Sequence, residues 1–329
     1  MAFSELCYLL SFYLSITVAF FQDLLSFLLN LYQLPVVSLA DMCLALYFRL
    51  CGLSPCTINV DDQTTMHFWT ADHSQLKKPN LVMIHGYGGN SRWQFMRQVG
   101  FLSKTFNLHI PDLIFFGNSY TTRPDRTEIF QAKCVFEGLK RLGVDRFAIY
   151  AISYGGFVAY RMAKMYPKEV GKVVIVSCGI VFTEEQKGEH LKKIGRDALK
   201  ILVPENPHDL RLLVNLSVYK CDPFMWVPDY FYGKFINLVY KEHKKEKIEM
   251  VEYMLTQKAD PNLPILTQET LIVWGEEDKV FPVYLAYELQ RHLGSKSKVE
   301  IIKDTGHAVN IDAPESLNAL ITSFVLGSS

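Results

Sequence analysis

Four short, unbroken apolar runs constrain this chain more than anything else in it: "NLVMIHG" (Asn80–Gly86), "RFAIYAIS" (Arg146–Ser153), "GKVVIVSC" (Gly171–Cys178) and "ETLIVWGEED" (Glu269–Asp278). Each is too short for a buried helix. A strand with one wet face alternates apolar and polar residues, whereas a continuous run is dry on both faces, as central strands of a parallel sheet are. Between these runs the spacing turns helical. "RTEIFQAKCVFEGLKRLG" (Arg126–Gly143) ends on a glycine, "GFVAYRMAKMYP" ends at Pro167, and "PVYLAYELQRHLG" and "PESLNALITSFVL" follow later. "FNLHIPDL" (Phe106–Leu113) and "KVEIIKDTGH" (Lys298–His307) read as weaker strands, and "TINV" with "TTMHFWTA" as a hairpin turning at "DDQ". Strands alternating with helices predict an α/β fold, a mostly parallel sheet flanked by helices on both faces.

Two segments break this rhythm. Residues 181–266 are helical in pattern, rich in Lys and Glu, and contain the aromatic cluster "YKCDPFMWVPDYFYGKF" (Tyr219–Phe235). An insertion ahead of the last two strands reads as a helical cap over a core of residues 51–180 and 267–329. Phe224, Trp226 and Tyr230 are the aromatic residues expected to meet a substrate. Residues 1–50 are the other exception. From Met1 to Phe48 there is no Lys, Arg or His, and the charges are Glu5, Asp23 and Asp41. The apolar runs Leu6–Phe21 and Leu24–Ala40 each fall short of the about 20 residues that span a bilayer. No basic n-region or small-residue cleavage site marks a secretory signal. The block is therefore expected to associate with a membrane through residues 6–40 or to pack on the body. Arg49 follows it, which would leave the body facing the cytosol.

Charge excludes one class of function. The 329 residues carry 34 basic and 34 acidic side chains, so the chain lacks the basic surface on which nucleic-acid binding rests. The run "KEHKKEKIE" (Lys241–Glu249) alternates sign and reads as a solvated helix face. Seven cysteines without a CxxC pair form neither a disulfide framework nor a zinc pattern, which points to reduced, mostly buried thiols. The sequon Asn215-Leu216-Ser217 is too common by chance to weigh against that. No metal cluster, P-loop or dinucleotide fingerprint is present, since "HGYGGN" lacks the GxGxxG spacing. No cofactor is expected.

The chemistry concentrates where strands end. "YAISYGG" (Tyr150–Gly156) places Ser153 between a strand and a helix, in the pattern G-x-S-x-G except that Ala151 stands for the first glycine. "HGYGG" (His85–Gly89), "SYGG", "GEEDKVFP" and "DTGHAVNIDAP" follow one another in an order that resembles the α/β-hydrolase superfamily over residues 57–329. "IPDLIFFGNS" (Ile110–Ser119) resembles the segment in hydrolases related to the monoacylglycerol lipases and the meta-cleavage C–C bond hydrolases, and its combination with an apolar leader is most similar to plant members of that group. The resemblance implies a Ser153 nucleophile, a His307 general base and an Asp278 acid that orients it, with Glu276, Glu277, Asp304 and Asp312 as rival acids. A serine hydroxyl needs such a base, and the base needs such an orienter. The backbone N–H groups of Tyr87 and Tyr154 are the expected oxyanion hole. His85 and Asp112 are expected to support loops. Serine at the elbow argues against epoxide hydrolase or dehalogenase chemistry, in which that position is an aspartate.

The expected activity is hydrolysis of a carboxylic ester with an apolar or lipid-like acyl group, such as a monoacylglycerol. Cleavage of a C–C bond in an anionic diketone is the alternative, with Arg92 as the basic residue such a substrate would need. A ligand-binding receptor on a hydrolase scaffold is the alternative from another class.

Overall fold

The computed structural model describes residues 17, 20–22, 35–71, 77–195, 197–220, 226–257 and 262–327. Most of the apolar runs Leu6–Phe21 and Leu24–Ala40 lies outside the described residues, as does Phe224. The chain divides into two units, Met1–Ala40 and Asp41–Ser329. In the first, Thr17 and residues 20–22 are helical. The second carries the sheet. Among the described residues no helix is long and apolar enough to cross a membrane.

Helix α1 (Val36–Leu50) leads into a hairpin of β1 (Leu53–Asn59) and β2 (Thr64–Ala71). There follow β3 (Asn80–Ile84), the short helices α2 (Ser91–Phe95) and α3 (Val99–Leu102), β4 (Asn107–Pro111) and β5 (Tyr120–Thr121). Helix α4 (Glu128–Arg141), β6 (Phe147–Ile152), α5 (Tyr154–Met165) and β7 (Val170–Val176) complete the first half. Five described helices stand between β7 and β8: α6 (Glu184–Ile194), α7 (Ala198–Leu202), α8 (Pro207–Ser217), α9 (Asp229–Val239) and α10 (Lys244–Thr256). The chain then runs through β8 (Glu269–Gly275), α11 (Tyr284–Leu293), β9 (Ser297–Ile302), α12 (Val309–Asp312) and α13 (Pro314–Leu326).

The sheet order is β1-β2-β4-β3-β6-β7-β8-β9, with β5 beside β2. Six strands, from β4 to β9, are mutually parallel, and the β1–β2 hairpin joins them antiparallel at the β4 edge. This is the mostly parallel, helix-flanked sheet expected from the apolar runs. The two-residue strand β5 has no counterpart in the sequence reading, being too short to leave a periodic signal.

Alternation within the strands sorts their side chains into two cores, because successive residues point to opposite faces. Val82, Ile84, Ile149, Ala151, Ile175 and Trp274 pack with α4, α5 and α11 on one face. Leu81, Met83, Tyr150, Val174 and Val273 pack on the other with Phe95 of α2, Leu317 and Ile321 of α13, and Phe48 of α1. Phe48 is fully buried with its ring 5.4 Å from that of Trp69, a burial that contributes about 2–3 kcal/mol. Residues 41–50 are thus part of the body.

Strand order reverses between β3 and β6: the chain leaves β3 toward β4 on one side and returns to β6 on the other. Open α/β sheets bind ligands outside the carboxyl ends of strands at such a point. The loops that carry His85–Gly89 and Ser153 lie there.

Candidate active site

Ser153 sits between β6 and α5 with φ 54° and ψ −123°, a conformation that costs a non-glycine residue of order 1–3 kcal/mol. The surroundings hold it there. Its N–H donates to Val176 O at 2.9 Å, and the Gly156 N–H donates back to Ser153 O. Two glycines permit the close approach. A Cβ on Gly155 would stand 2.5 Å from Ile84 O, and one on Gly86 would stand 2.9 Å from Ser153 Cβ. Ala151, by contrast, is an interior β6 residue, paired with Ile84 and Ile175, whose methyl joins the apolar cluster of Val158 and Ala159. The missing glycine of the pattern is therefore filled by core packing.

Two further loops converge on this serine. His307 Nε2 lies 2.9 Å from Ser153 Oγ, and His307 Nδ1 lies 2.9 Å from Asp278 Oδ2. A carboxylate only accepts, so Nδ1 carries the ring proton, leaving Nε2 to accept from the serine hydroxyl. Asp278 Oδ1 in turn accepts from the backbone N–H groups of Val280 and Phe281, each at 2.8 Å, so both its oxygens are fixed. The Asp278 side chain is fully buried and that of His307 is 10 % exposed. The rival acids lie elsewhere. Glu276, Glu277 and Asp304 are exposed, and Asp312 accepts from the N–H groups of Gly306 and Tyr219, which positions the loop before His307.

The glycine loop after β3 is braced by a residue the sequence did not point to. Gln94 of α2 accepts from Gly86 N–H at 2.8 Å and donates to Gly86 O at 2.9 Å. Asn310, three residues beyond His307, donates to Gln94 O at 2.7 Å and so ties this loop to the histidine loop. A glutamine four residues after a helix cap carries no sequence signal of such a role. His85 donates to Gly86 O and accepts from Leu113 N–H, which requires a neutral ring, and burial lowers its pKa accordingly. Asp112 accepts from Ser91 N–H, Ser91 Oγ and His67 Nδ1. Burial opposes its charge, but the His67 and Ser91 bonds prevail and hold its pKa at about 2. The backbone N–H of Tyr154 opens α5 and donates to no described residue.

A cavity of about 200 Å³ opens from Ser153. Ser153, Tyr154, Phe157, Tyr160 and Arg161 line it at helical spacing, so it runs along one face of α5. Tyr87 and Phe281 close the end near Ser153, and Leu191, Ile201, Leu213 and Met254 from the helices between β7 and β8 form an apolar wall. Trp226 and Tyr230, expected to meet a substrate, do not line it. Trp226 is 87 % exposed, and Tyr230 packs on Phe231 with Lys234 over its ring. Trp226 lies in the turn before α9 and Tyr230 in its first turn, and the small core of Tyr232, Ile236 and Tyr240 draws the opposite helix face inward. Arg92 is not at the cavity either. Its guanidinium donates to both oxygens of Asp41, at 3.2 and 2.6 Å, and the Trp93 indole N–H donates to Asp41 at 3.0 Å. Among the described residues no three His, Cys, Asp or Glu side chains are grouped to hold a metal ion.

Residues 79–314 match the family model of the α/β hydrolase fold. A 2-hydroxy-6-oxononadienedioate/2-hydroxy-6-oxononatrienedioate hydrolase of Pseudomonas sp is 27 % identical over 254 residues, covering 74 % of this chain and 87 % of that protein. Monoacylglycerol lipase ABHD6 of Mus musculus is 26 % identical over 261 residues, covering 75 % of this chain and 76 % of the relative. The crystal structure of a membrane phospholipase A, described as a bacterial virulence factor, superposes with a TM-score of 0.76 at 23 % identity, over 97 % of this chain and 98 % of that one. With the family model spanning β3 to the start of α13, this chain is a hydrolase that belongs to the α/β-hydrolase fold family.

Proposed function

We propose that the chain is a serine ester hydrolase in which Ser153 attacks a substrate carbonyl, His307 takes the hydroxyl proton and returns it to the leaving alcohol, and Asp278 orients His307. Water then attacks the acyl-serine by the same route, releasing the acid and restoring Ser153. The observation that supports this most is the continuous Ser153–His307–Asp278 chain of 2.9 Å contacts. The N–H groups of Tyr87 and Tyr154 serve as oxyanion donors, and the start of α5 adds its positive dipole end. Residues 181–266 act as a cap, since their helices supply the apolar wall of the cavity.

An apolar cavity along α5 fits a lipid-like acyl group, and a monoacylglycerol is the representative substrate; the mouse relative's name is in keeping with that. The Pseudomonas relative's name favours a second reading, C–C bond cleavage. The pairing of Arg92 with Asp41 removes the basic residue that reading leaned on. Membrane association through residues 6–40, with the body facing the cytosol, belongs to the same proposal. It is supported by the apolar leader and by Met42, Leu46 and Leu50, spaced four apart and exposed on α1.

The test is fluorophosphonate labelling together with turnover of acylglycerols and dienoic acids, wild type against Ser153→Ala. Labelling and ester turnover are expected to vanish in Ser153→Ala, with kcat lower by at least about 10⁴-fold. Ligand binding without turnover in the wild type would favour a receptor, and a preference for dienoic acids would favour C–C cleavage. Carbonate extraction tests the anchor, since release of the intact protein into the wash counts against integral insertion.

A further inference from the structure

The cavity has two chemically different ends. At the first, Ser153 meets aromatic and aliphatic neighbours; the second lies eight residues further along α5, at Arg161, a rise of about 12 Å. There the lining turns polar. Arg161 Nε donates to Glu128 Oε1 at 2.9 Å, which cancels one charge of each sign. Tyr253 of α10 feels the charges of both Glu128 and Arg161, and one turn later the Gln257 carbonyl accepts from Lys187 Nζ at 3.0 Å. Lys187, on α6, also lines the cavity.

Among the described residues, the sum of these charges is one cation without an ion-pair partner. Lys187 forms no ion pair among the described residues, and the carboxylate that acts on it, Glu184 one turn earlier, is solvent-exposed. Burial lowers the pKa of the amine, so an anion beside it would restore the charge that burial opposes. One of its three N–H groups is accounted for by Gln257, which leaves donors for a ligand. A purely hydrocarbon chain has no use for such a group.

We propose that the distal end of the cavity binds a carboxylate at the far end of the substrate's acyl chain, with Lys187 as its counter-ion. This rests on the ester-hydrolase reading and names its substrate class: monoesters of dicarboxylic acids in preference to esters of plain fatty acids of equal length. The rise along α5 corresponds to about ten bonds, at the ~1.2 Å per bond of a fully extended chain. Lys187 is a specificity-determining residue here and takes no part in bond cleavage.

The test compares the mono-4-nitrophenyl ester of decanedioic acid with 4-nitrophenyl decanoate, using the full chain at low and high salt. The wild type is expected to show the higher kcat/KM for the acid-bearing ester, through a lower KM, with the advantage shrinking as salt rises. In Lys187→Met the ratio of the two kcat/KM values is expected to fall about tenfold, the worth of a charge-assisted hydrogen bond, and Lys187→Arg is expected to restore part of it. Thermal melting of each variant separates this from unfolding, which would lower both rates together. Equal kcat/KM values in the wild type, or a ratio unmoved by Lys187→Met, overturns the inference and leaves the hydrolase reading standing. Absence of both turnover and Ser153 labelling overturns the two together.

Discussion

Around Ser153 the backbone holds the geometry: carbonyls of Ile84 and Val176 and the N–H groups of Val280 and Phe281 all lie within contact of the serine loop or of Asp278. Across the cavity, the helices between β7 and β8 are held mostly by side chains, with the Ala308 N–H donating to Ser217 O at 2.7 Å as the backbone tie to the histidine loop. Their small core centres on Tyr232, Ile236 and Tyr240, the Trp93 ring packs edge-on at 5.1 Å against Phe235, and Arg126 pairs with Glu249 at 2.8 Å. Backbone contacts fix atoms to fractions of an ångström and tolerate no extra methyl. Of these side-chain contacts, the Arg126–Glu249 pair is the cheapest to redraw, near the cost of a surface ion pair, while the buried aromatic core costs more. The contrast is between a serine loop that admits no displacement and a cavity wall whose rim contacts can be redrawn.

The largest effect that can probe this contrast is on Asp278, the acid proposed to orient His307. Asp278→Asn keeps the shape but presents an amide to His307 Nδ1, and kcat for ester turnover is expected to fall about 10⁴-fold with little change in melting temperature. A loss below tenfold would mean that the backbone pair on Oδ1, and not the charge, does the orienting.

The next effect is on stability at the serine end. Asp112 is buried with its pKa held at about 2, below its ordinary 3.8. A depressed carboxylate contributes stability that is present above the unfolded pKa and lost as pH falls through the folded one. Acid unfolding is therefore expected to draw about 2 kcal/mol from this group between pH 4 and about 2. Asp112→Asn should flatten that part of the stability–pH curve and cost about 3–5 kcal/mol at neutral pH by leaving His67 and Ser91 poorly matched. Urea unfolding at a series of pH values measures both, and an unchanged curve for Asp112→Asn would break the contrast at its rigid end.

The smallest effect belongs to the helical side. Trp226→Ala is expected to change stability and KM by less than about 0.5 kcal/mol, because the indole stands in solvent. A rise in KM of tenfold or more would show that Trp226 swings over the cavity during turnover.

Legibility followed the same divide. The strands could be read because a doubly buried strand must be apolar without interruption, and Ser153, Asp278 and His307 drew notice because each follows the end of one. The structure links the same three residues, Ser153, Asp278 and His307. The helical wall could not be read, since an aromatic cluster there has two faces and the sequence does not say which one turns inward. Trp226 and Tyr230 were on the outer one, and the residues that do line the cavity, such as Leu191 and Ile201, are ordinary helix formers. Gln94 was invisible for another reason: its bonds go to backbone, which leaves no partner residue to notice.

Asp41 has a consequence for how far the chain can be shortened. Arg92, Trp93 and the loop-bracing Gln94 are consecutive residues of α2, and the first two are held by the Asp41 carboxylate. A truncation that removes the apolar leader but keeps Asp41 preserves that anchor. One that begins a few residues later strands a half-buried guanidinium and an indole N–H beside the glycine loop, and so reaches the reaction from a position that never touches substrate.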